Sequence, residues 1–316
     1  MIWSGQPPPS YYTYSKELIR RGHGFPLWHP DSTGIEPCYG DVGYIERGSF
    51  IRIFNLIFDD LNTRGAPKDH KSLGLQNMHV QTIESYIPEG QSVASYHVAR
   101  TAVEATAAPS TLDRSYGGGE LSYKFDCAGK SFALAIIGKG GAKEERFMNR
   151  GLLQKCMEEH YESWLEFARE TCSMDMRVTD MILVYGTVKA SQWAISAYSG
   201  RSAQRKMSIS ATIGASSASF QLNSRDSVEV SAESRYGNTN STSAEETNNK
   251  THALFIEFMK IAQANFYRFQ MQLKASEKDI QAFEPRSGLS KWRLRRSRLK
   301  KKYEVERPKD MTSPVK

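Results

Sequence analysis

The chain has 316 residues, 39% hydrophobic and 24% charged, with a net charge of +7. That composition suits a globular chain and excludes a collagen-like or low-complexity polymer. No run of about 18 apolar residues occurs, which excludes a membrane-crossing helix, and the charge is uneven: residues 286–309 hold eleven Lys/Arg and two Glu, a local +9, so the rest carries −2. Arguments from basicity to an anionic partner therefore apply to the C-terminal tail alone.

In chain order, residues 1–16 are rich in Pro and Tyr and are expected to be disordered. No basic region leads into an apolar core there, so no secretory signal is expected. Phe25-Pro26-Leu27-Trp28 reads as a short strand, and Asp41–Ile45 turns at Glu46-Arg47-Gly48 into a second strand, Ser49–Phe58, as a hairpin. Residues 62–72 read as a loop. Residues 78–104 alternate weakly and break at Pro88-Glu89-Gly90, which predicts another hairpin. Residues 105–119 are a small-residue linker. Leu121–Phe125 and Ser131–Ile137 form a third predicted strand pair.

The single strong helix is predicted over 143–170. Leu153, Cys156, Met157, His160, Tyr161, Trp164, Leu165 and Ala168 recur at three and four residues and make one apolar stripe, suited to packing on a sheet face. Residues 181–232 then read as consecutive strands. Met181–Gly186 is a buried-strand run. Met207, Ile209, Ala211, Ile213 and Ala215 alternate with Ser208, Ser210, Thr212, Gly214 and Ser216, so one ribbon carries an apolar face and a hydroxyl face. Residues 236–251 are a polar loop, and residues 263–285 lean helical.

Strands do not alternate regularly with helices, so the expected fold is α+β: a mostly antiparallel sheet packed by one long amphipathic helix, with a basic C-terminal tail. The expected divisions are a disordered 1–16, a single α+β domain over 17–262, a helix over 263–285, and a basic disordered tail over 286–316.

Reacting groups are scarce in this pattern. Ala128-Gly129-Lys130-Ser131 looks like the end of a phosphate-binding loop, but Lys124 stands where a glycine is needed and a strand follows where a helix is needed. Gly138-Lys139-Gly140-Gly141 reads as a flexible connection into the helix. His23, His29 and Cys38 have no zinc-ligand spacing, and His160 reads as a hydrogen-bonded helix residue. Asp59-Asp60 and Glu144-Glu145 are adjacent pairs that point apart. The four cysteines, Cys38, Cys127, Cys156 and Cys172, are scattered and read as reduced thiols, which places the protein in the cytoplasm or nucleus. No cofactor, metal ligand set or catalytic residue is expected. The reading leans away from an enzyme and toward an intracellular binding or scaffold protein with a protein partner. The tail adds Lys291, Trp292, Arg293, Arg295, Arg296 and Arg298, a basic segment with apolar residues, through which 286–302 would meet anionic lipid or nucleic acid, or direct nuclear import.

Three segments carry a resemblance: Gly40–Ile45 with Gly48–Asn55, His160–Arg169, and Asp180–Gly186 leading to Trp193–Tyr198. Their order and spacing over residues 15–262 resemble a large group of uncharacterised intracellular proteins of mushroom-forming (agaricomycete) fungi. That group carries no settled activity, so the resemblance implies no catalytic residue. A looser similarity is to gasdermin-type pore-forming domains, whose amphipathic hairpins insert into membranes. It implies insertion strands at Met207–Ala215 and Val228–Ala232, with Met207, Ile209, Ile213, Val228 and Val230 as membrane-insertion candidates, and a membrane-permeabilising function.

Overall fold

A computed structural model describes residues 7–30, 36–70, 72–73, 78–106, 120–200, 207–213, 218–223, 230–238, 252–264 and 268–273. Among these residues antiparallel sheet dominates and two α-helices accompany it. The basic tail lies outside them.

The first sheet is the frame. Its main order is β1 (Phe25–Pro26), β15 (His252–Ala264), β10 (Ile182–Ala190), β2 (Asp41–Glu46) and β3 (Ser49–Asn55). Strand β10 has two partners on one side: β2 at Ile182 and Leu183, and β9 (Ala142–Phe147) at Gly186 to Ala190. Strand β4 (Val80–Ile87) pairs with β9, and β16 (Arg268–Leu273) with β15. The β2–β3 hairpin turns where the sequence places it. Arg47 (φ 49°) and Gly48 (φ 83°) supply the two left-handed residues that a tight hairpin turn requires. A Cβ on Gly48 would sit 2.6 Å from Trp28 Cβ, so both the turn and the packing call for glycine there.

Both faces of the frame are covered. Helix α2 (Arg150–Glu170) lays Leu153, Met157, Trp164 and Phe167 against Phe54, Leu183, Tyr185 and Met259. Opposite them, Ile182, Val184, Ile256 and Phe258 pack with Phe25, Leu27, Ile45 and Phe50. Strand β10 is therefore buried almost throughout, which is why it reads as a continuous apolar run.

Two four-stranded sheets hold the rest of the described strands. The second has the order β14 (Val230–Asn238), β11 (Gln192–Gly200), β8 (Ser131–Ile137), β5 (Ser92–Ala94). The third has the order β13 (Ala218–Asn223), β12 (Met207–Ile213), β7 (Glu120–Cys127), β6 (Val98–Thr106). Alternation along β8 makes the second sheet a middle layer. Ala133, Ala135 and Ile137 face a core with Tyr14, Leu18, Trp28 and Phe255, whereas Phe132, Leu134 and Ile136 share a core with Tyr123, Phe125 and Ala211 of the third sheet.

Several expectations are corrected. Residues 10–16 of the segment expected to be disordered belong to helix α1 (Ser10–Leu18); Tyr14 and Leu18 are buried and hold it on the second sheet. Residues 142–147 are strand β9, and the long helix begins at Arg150. The charges that imitate a helix there form a ladder across the sheet: Lys143 bridges Glu84 and Glu145, which in turn meets Lys189. The described part of 263–285 is strand: β15 runs to Ala264 and β16 returns beside it. Tyr236 to Asn238, expected in a loop, end β14. Strands β4 and β5 are not a hairpin, since β4 pairs with β9 and β5 with β8. Nor are β7 and β8, which lie in different sheets. The connection at 138–141 joins two strands, β8 and β9.

Candidate functional site

Three polar clusters stand out in the described residues. At the mouth of the β2–β3 hairpin, the buried Asp41 carboxylate accepts from Arg52 Nη2 (2.8 Å), Asn55 Nδ2 (2.6 Å) and the Cys38 N–H (2.8 Å). Burial, reinforced by Asp41, pushes the Cys38 thiol up to about 12, so it is a poor nucleophile. This network closes the start of the hairpin and leaves Asp41 saturated.

The second cluster spans β10. Arg146 of β9 and Glu257 of β15 both lie opposite Gly186, and they meet over it through Nε–Oε2 (2.6 Å) and Nη2–Oε1 (2.9 Å). A Cβ at 186 would lie 2.7 Å from Glu257 Oε2, so the bidentate pair depends on glycine between its partners. Glu144 accepts the same guanidinium at 2.7 Å.

The third is at the surface. Asp69 receives the Ser163 hydroxyl on Oδ1 and His160 Nδ1 at 3.2 Å on Oδ2. Serine and histidine both turn to the carboxylate, so the arrangement differs from a serine–base pair. Its effect is to fasten the loop before Leu73 to α2. His160 thus sits at the edge of the helix stripe, half-exposed. Among the described residues, no group of three or more His, Cys, Asp or Glu could hold a metal ion.

The strongest geometric feature is the relation between the second and third sheets. Their strand orders correspond one to one: β14 continues β13, β11 continues β12, β8 continues β7, and β5 continues β6. The chain therefore visits both sheets on four courses: 92–106, 120–137, 192–200 with 207–213, and 218–223 with 230–238. Each course is longer than the roughly 9–11 residues of a membrane-spanning strand. The courses form two hairpins, and these pair along β8–β11 and β7–β12.

The third sheet is two-faced. Ala211 lies opposite Tyr123 and Phe220, and Tyr123 opposite Val103. Tyr123, Phe125 and Ala211 are buried against the second sheet. Between these positions come Ser122, Lys124 and Asp126 on β7 and Ser219 and Gln221 on β13; Lys124, Asp126, Ser219 and Gln221 are exposed. The courses change sheet in short steps. Between β5 and β6, the Val98 N–H donates to Ser95 O at 3.1 Å. The buried Ser95 Oγ accepts from the Ala133 N–H (2.6 Å) and donates to Ala133 O (3.1 Å). Between β7 and β8, Gly129 takes φ 122°.

Met207, Ile209 and Ile213 fall on β12, opposite Cys127, Phe125 and Leu121. Val230 falls in the second sheet at the start of β14, opposite Gly200. Val228 lies outside the described residues, as do Lys291, Trp292, Arg293, Arg295, Arg296 and Arg298. Sequence reasoning missed β13 and β7 as partners of β12. The signal for the strands was present, though not for their pairing: Ala218-Ser219-Phe220-Gln221-Leu222-Asn223 and Leu121-Ser122-Tyr123-Lys124-Phe125-Asp126 repeat the same alternation.

Compared with family models and with curated proteins, the chain matches none. No described helix is long and apolar enough to cross a membrane, a finding that does not bear on strands.

Proposed function

We propose that the chain permeabilises membranes by inserting its two paired hairpins, in the manner of the gasdermin-type domains it resembles. The observation that carries this reading is the strand-for-strand correspondence of the second and third sheets. Because each strand of the third sheet is next in chain order to its counterpart in the second, the third sheet could lift from the second without any change of strand partner. Lifting would exchange Phe132, Leu134 and Ile136 for lipid on the apolar face carrying Tyr123, Phe125 and Ala211. The hydroxyl and charged face, with Lys124, Asp126 and Gln221, would stay in water. A spanning β-structure needs this division, together with the closure of every backbone hydrogen bond.

Exposed cations surround the line where the strands change sheet. Lys16, Arg20 and Arg21 stand on and just after α1, and Lys130 on the β7–β8 step. Tyr96, 67% exposed, packs under the Arg21 guanidinium at 4.7 Å. An anionic bilayer surface would attract this region, with a contribution of about 1 kcal/mol per cation that falls with salt. The four cysteines are free, which suits the reducing cytoplasm or nucleus.

The test is release of an encapsulated dye from vesicles containing phosphatidylserine, with neutral vesicles as the control. Full-length or protease-treated protein should release dye from the anionic vesicles. Binding without leakage by both forms would overturn the proposal.

A second reading, a binding or scaffold protein, is favoured by β14. This strand exposes Tyr236 (53%) and has β11 as its one strand partner among the described residues, so its other edge could take an extended partner. It predicts a stable complex with a protein partner and intact vesicles. A nuclear or nucleic-acid role would rest on 286–302. Deleting that segment should then abolish salt-sensitive retention on DNA or RNA.

A further inference from the structure

Glu36 stands at the head of the segment that leads into β2. Its Oε1 is buried and has no hydrogen-bond partner among the described residues, and the carboxyl takes one backbone hydrogen bond at Ala253 of β15. Three charged groups face it: Lys189 of β10, Glu145 of β9 and Arg52 of β3. Neither cation is given over to Glu36. Lys189 Nζ lies 3.6 Å from Glu145 Oε2, with its side chain only 12% exposed. Arg52 Nε lies 2.6 Å from Asp41 Oδ1, and Arg52 Nη2 meets the backbone oxygen of residue 36 at 2.6 Å rather than its carboxylate. An ionised Glu36 would leave a buried charge half-compensated beside a second carboxylate, whereas a protonated one is a neutral group with a donor to offer.

The segment after it is tied to the frame at several points, so Glu36 acts beside other bonds: Asn55 Nδ2 donates to Tyr39 O (3.3 Å) and the Cys38 N–H to the Asp41 carboxylate (2.8 Å). The Gly40 N–H donates to Val184 O (2.9 Å), and the Leu56 N–H to Gly40 O (2.9 Å). We propose that Glu36 is a proton-operated clasp: its neutral carboxyl holds segment 36–41 on β10 and β15, and its ionisation loosens that segment. The clasp is independent of the membrane reading. Burial is the largest influence on the group and raises it from 4.5 to about 7. The held state therefore binds the proton more tightly than the open state. Its advantage is complete below about pH 4.5 and is lost as pH climbs through about 7.

The test is amide hydrogen exchange of the full chain at the Gly40 N–H, corrected for the intrinsic dependence of exchange on pH. Between pH 5.5 and 8.5 the opening equilibrium should rise about 30-fold in the native sequence, the ratio set by groups titrating at 4.5 and about 7. The Glu36→Gln variant keeps the neutral shape and should show no such rise. A parallel ¹³C titration of the Glu36 carboxyl in the native chain should have its midpoint near 7. A midpoint near 4.5, or the same pH dependence in the native chain and the variant, would overturn the clasp.

Discussion

The first and third sheets bury apolar surface on different terms. In the first, β10 and β15 are buried on both faces, with α2 against one and with Ile182, Val184, Ile256 and Phe258 buried among Phe25, Leu27, Ile45 and Phe50 on the other. In the third, one face is buried and the other is wet, and the strands join the second sheet through short steps such as 95–97 and 128–130. A strand covered on both sides cannot leave without opening two cores. A strand covered on one side can leave by opening one, and the amphipathic alternation it keeps is what a bilayer would accept. On the proposed reading, the molecule combines a frame with a ribbon whose alternation would also suit a bilayer.

The sharpest way to break that contrast is to cut into each core in turn. Trp164 is 1% exposed and meets the Phe54 ring edge-on at 5.5 Å. Trp164→Ala should cost about 3–5 kcal/mol, read as a fall in the urea midpoint that all probes report together. Phe125→Ala removes a fully buried ring from the core between the second and third sheets. Its loss should be smaller in global unfolding and concentrated locally. Amides of β7 and β12 should exchange faster while those of β10 and β15 keep their protection. The same variant should release dye faster in the vesicle assay. If Phe125→Ala lowered protection evenly across all three sheets, frame and ribbon would be one cooperative unit and the contrast would fail.

The Tyr123 hydroxyl offers a finer cut with the opposite sign. It is buried with no hydrogen-bond partner among the described residues. Tyr123→Phe deletes an unsatisfied polar group and keeps the ring, so it should stabilise the docked third sheet by up to about 1 kcal/mol and slow dye release. A loss of stability would mean that the hydroxyl is satisfied in solution.

Legibility in the sequence follows the same division. The run at Ile182 to Val184 and the Arg47-Gly48 turn are local signals, and both stand where the pattern puts them. The stripe Leu153, Met157, Trp164 is likewise local. The alternation at 207–213 predicts β12 but says nothing of its neighbours, because pairing with β7 is a contact between distant segments. Strand β9 was hidden by Lys143, Glu144, Glu145 and Arg146. That string reads as a helix surface until Gly186 is seen to let Arg146 reach Glu257. Helix α1 was hidden behind Pro7, Pro8 and Pro9, since nothing local says that Tyr14 will find Trp28 at 5.3 Å. The two sheets traced by one set of courses could not be read at all, because Gly129-Lys130 looks like any hairpin turn.

The smallest effect belongs to the surface cluster on the frame. Asp69 holds Ser163 and His160, and these bonds, the serine's first, hold its carboxyl below the usual 3.8. A carboxyl held low in the folded state contributes stability above the unfolded value, and that contribution fades as pH falls through the folded one. Asp69→Asn should therefore lower the unfolding midpoint slightly at pH 7, with the difference from the native chain fading as pH falls below about 4. The group is exposed, so solvent screens the pair and added salt should shrink the difference further. If Asp69→Asn instead lowered the unfolding midpoint as far as Trp164→Ala does, the loop before Leu73 would be part of the core that α2 closes, and the frame would extend to the surface.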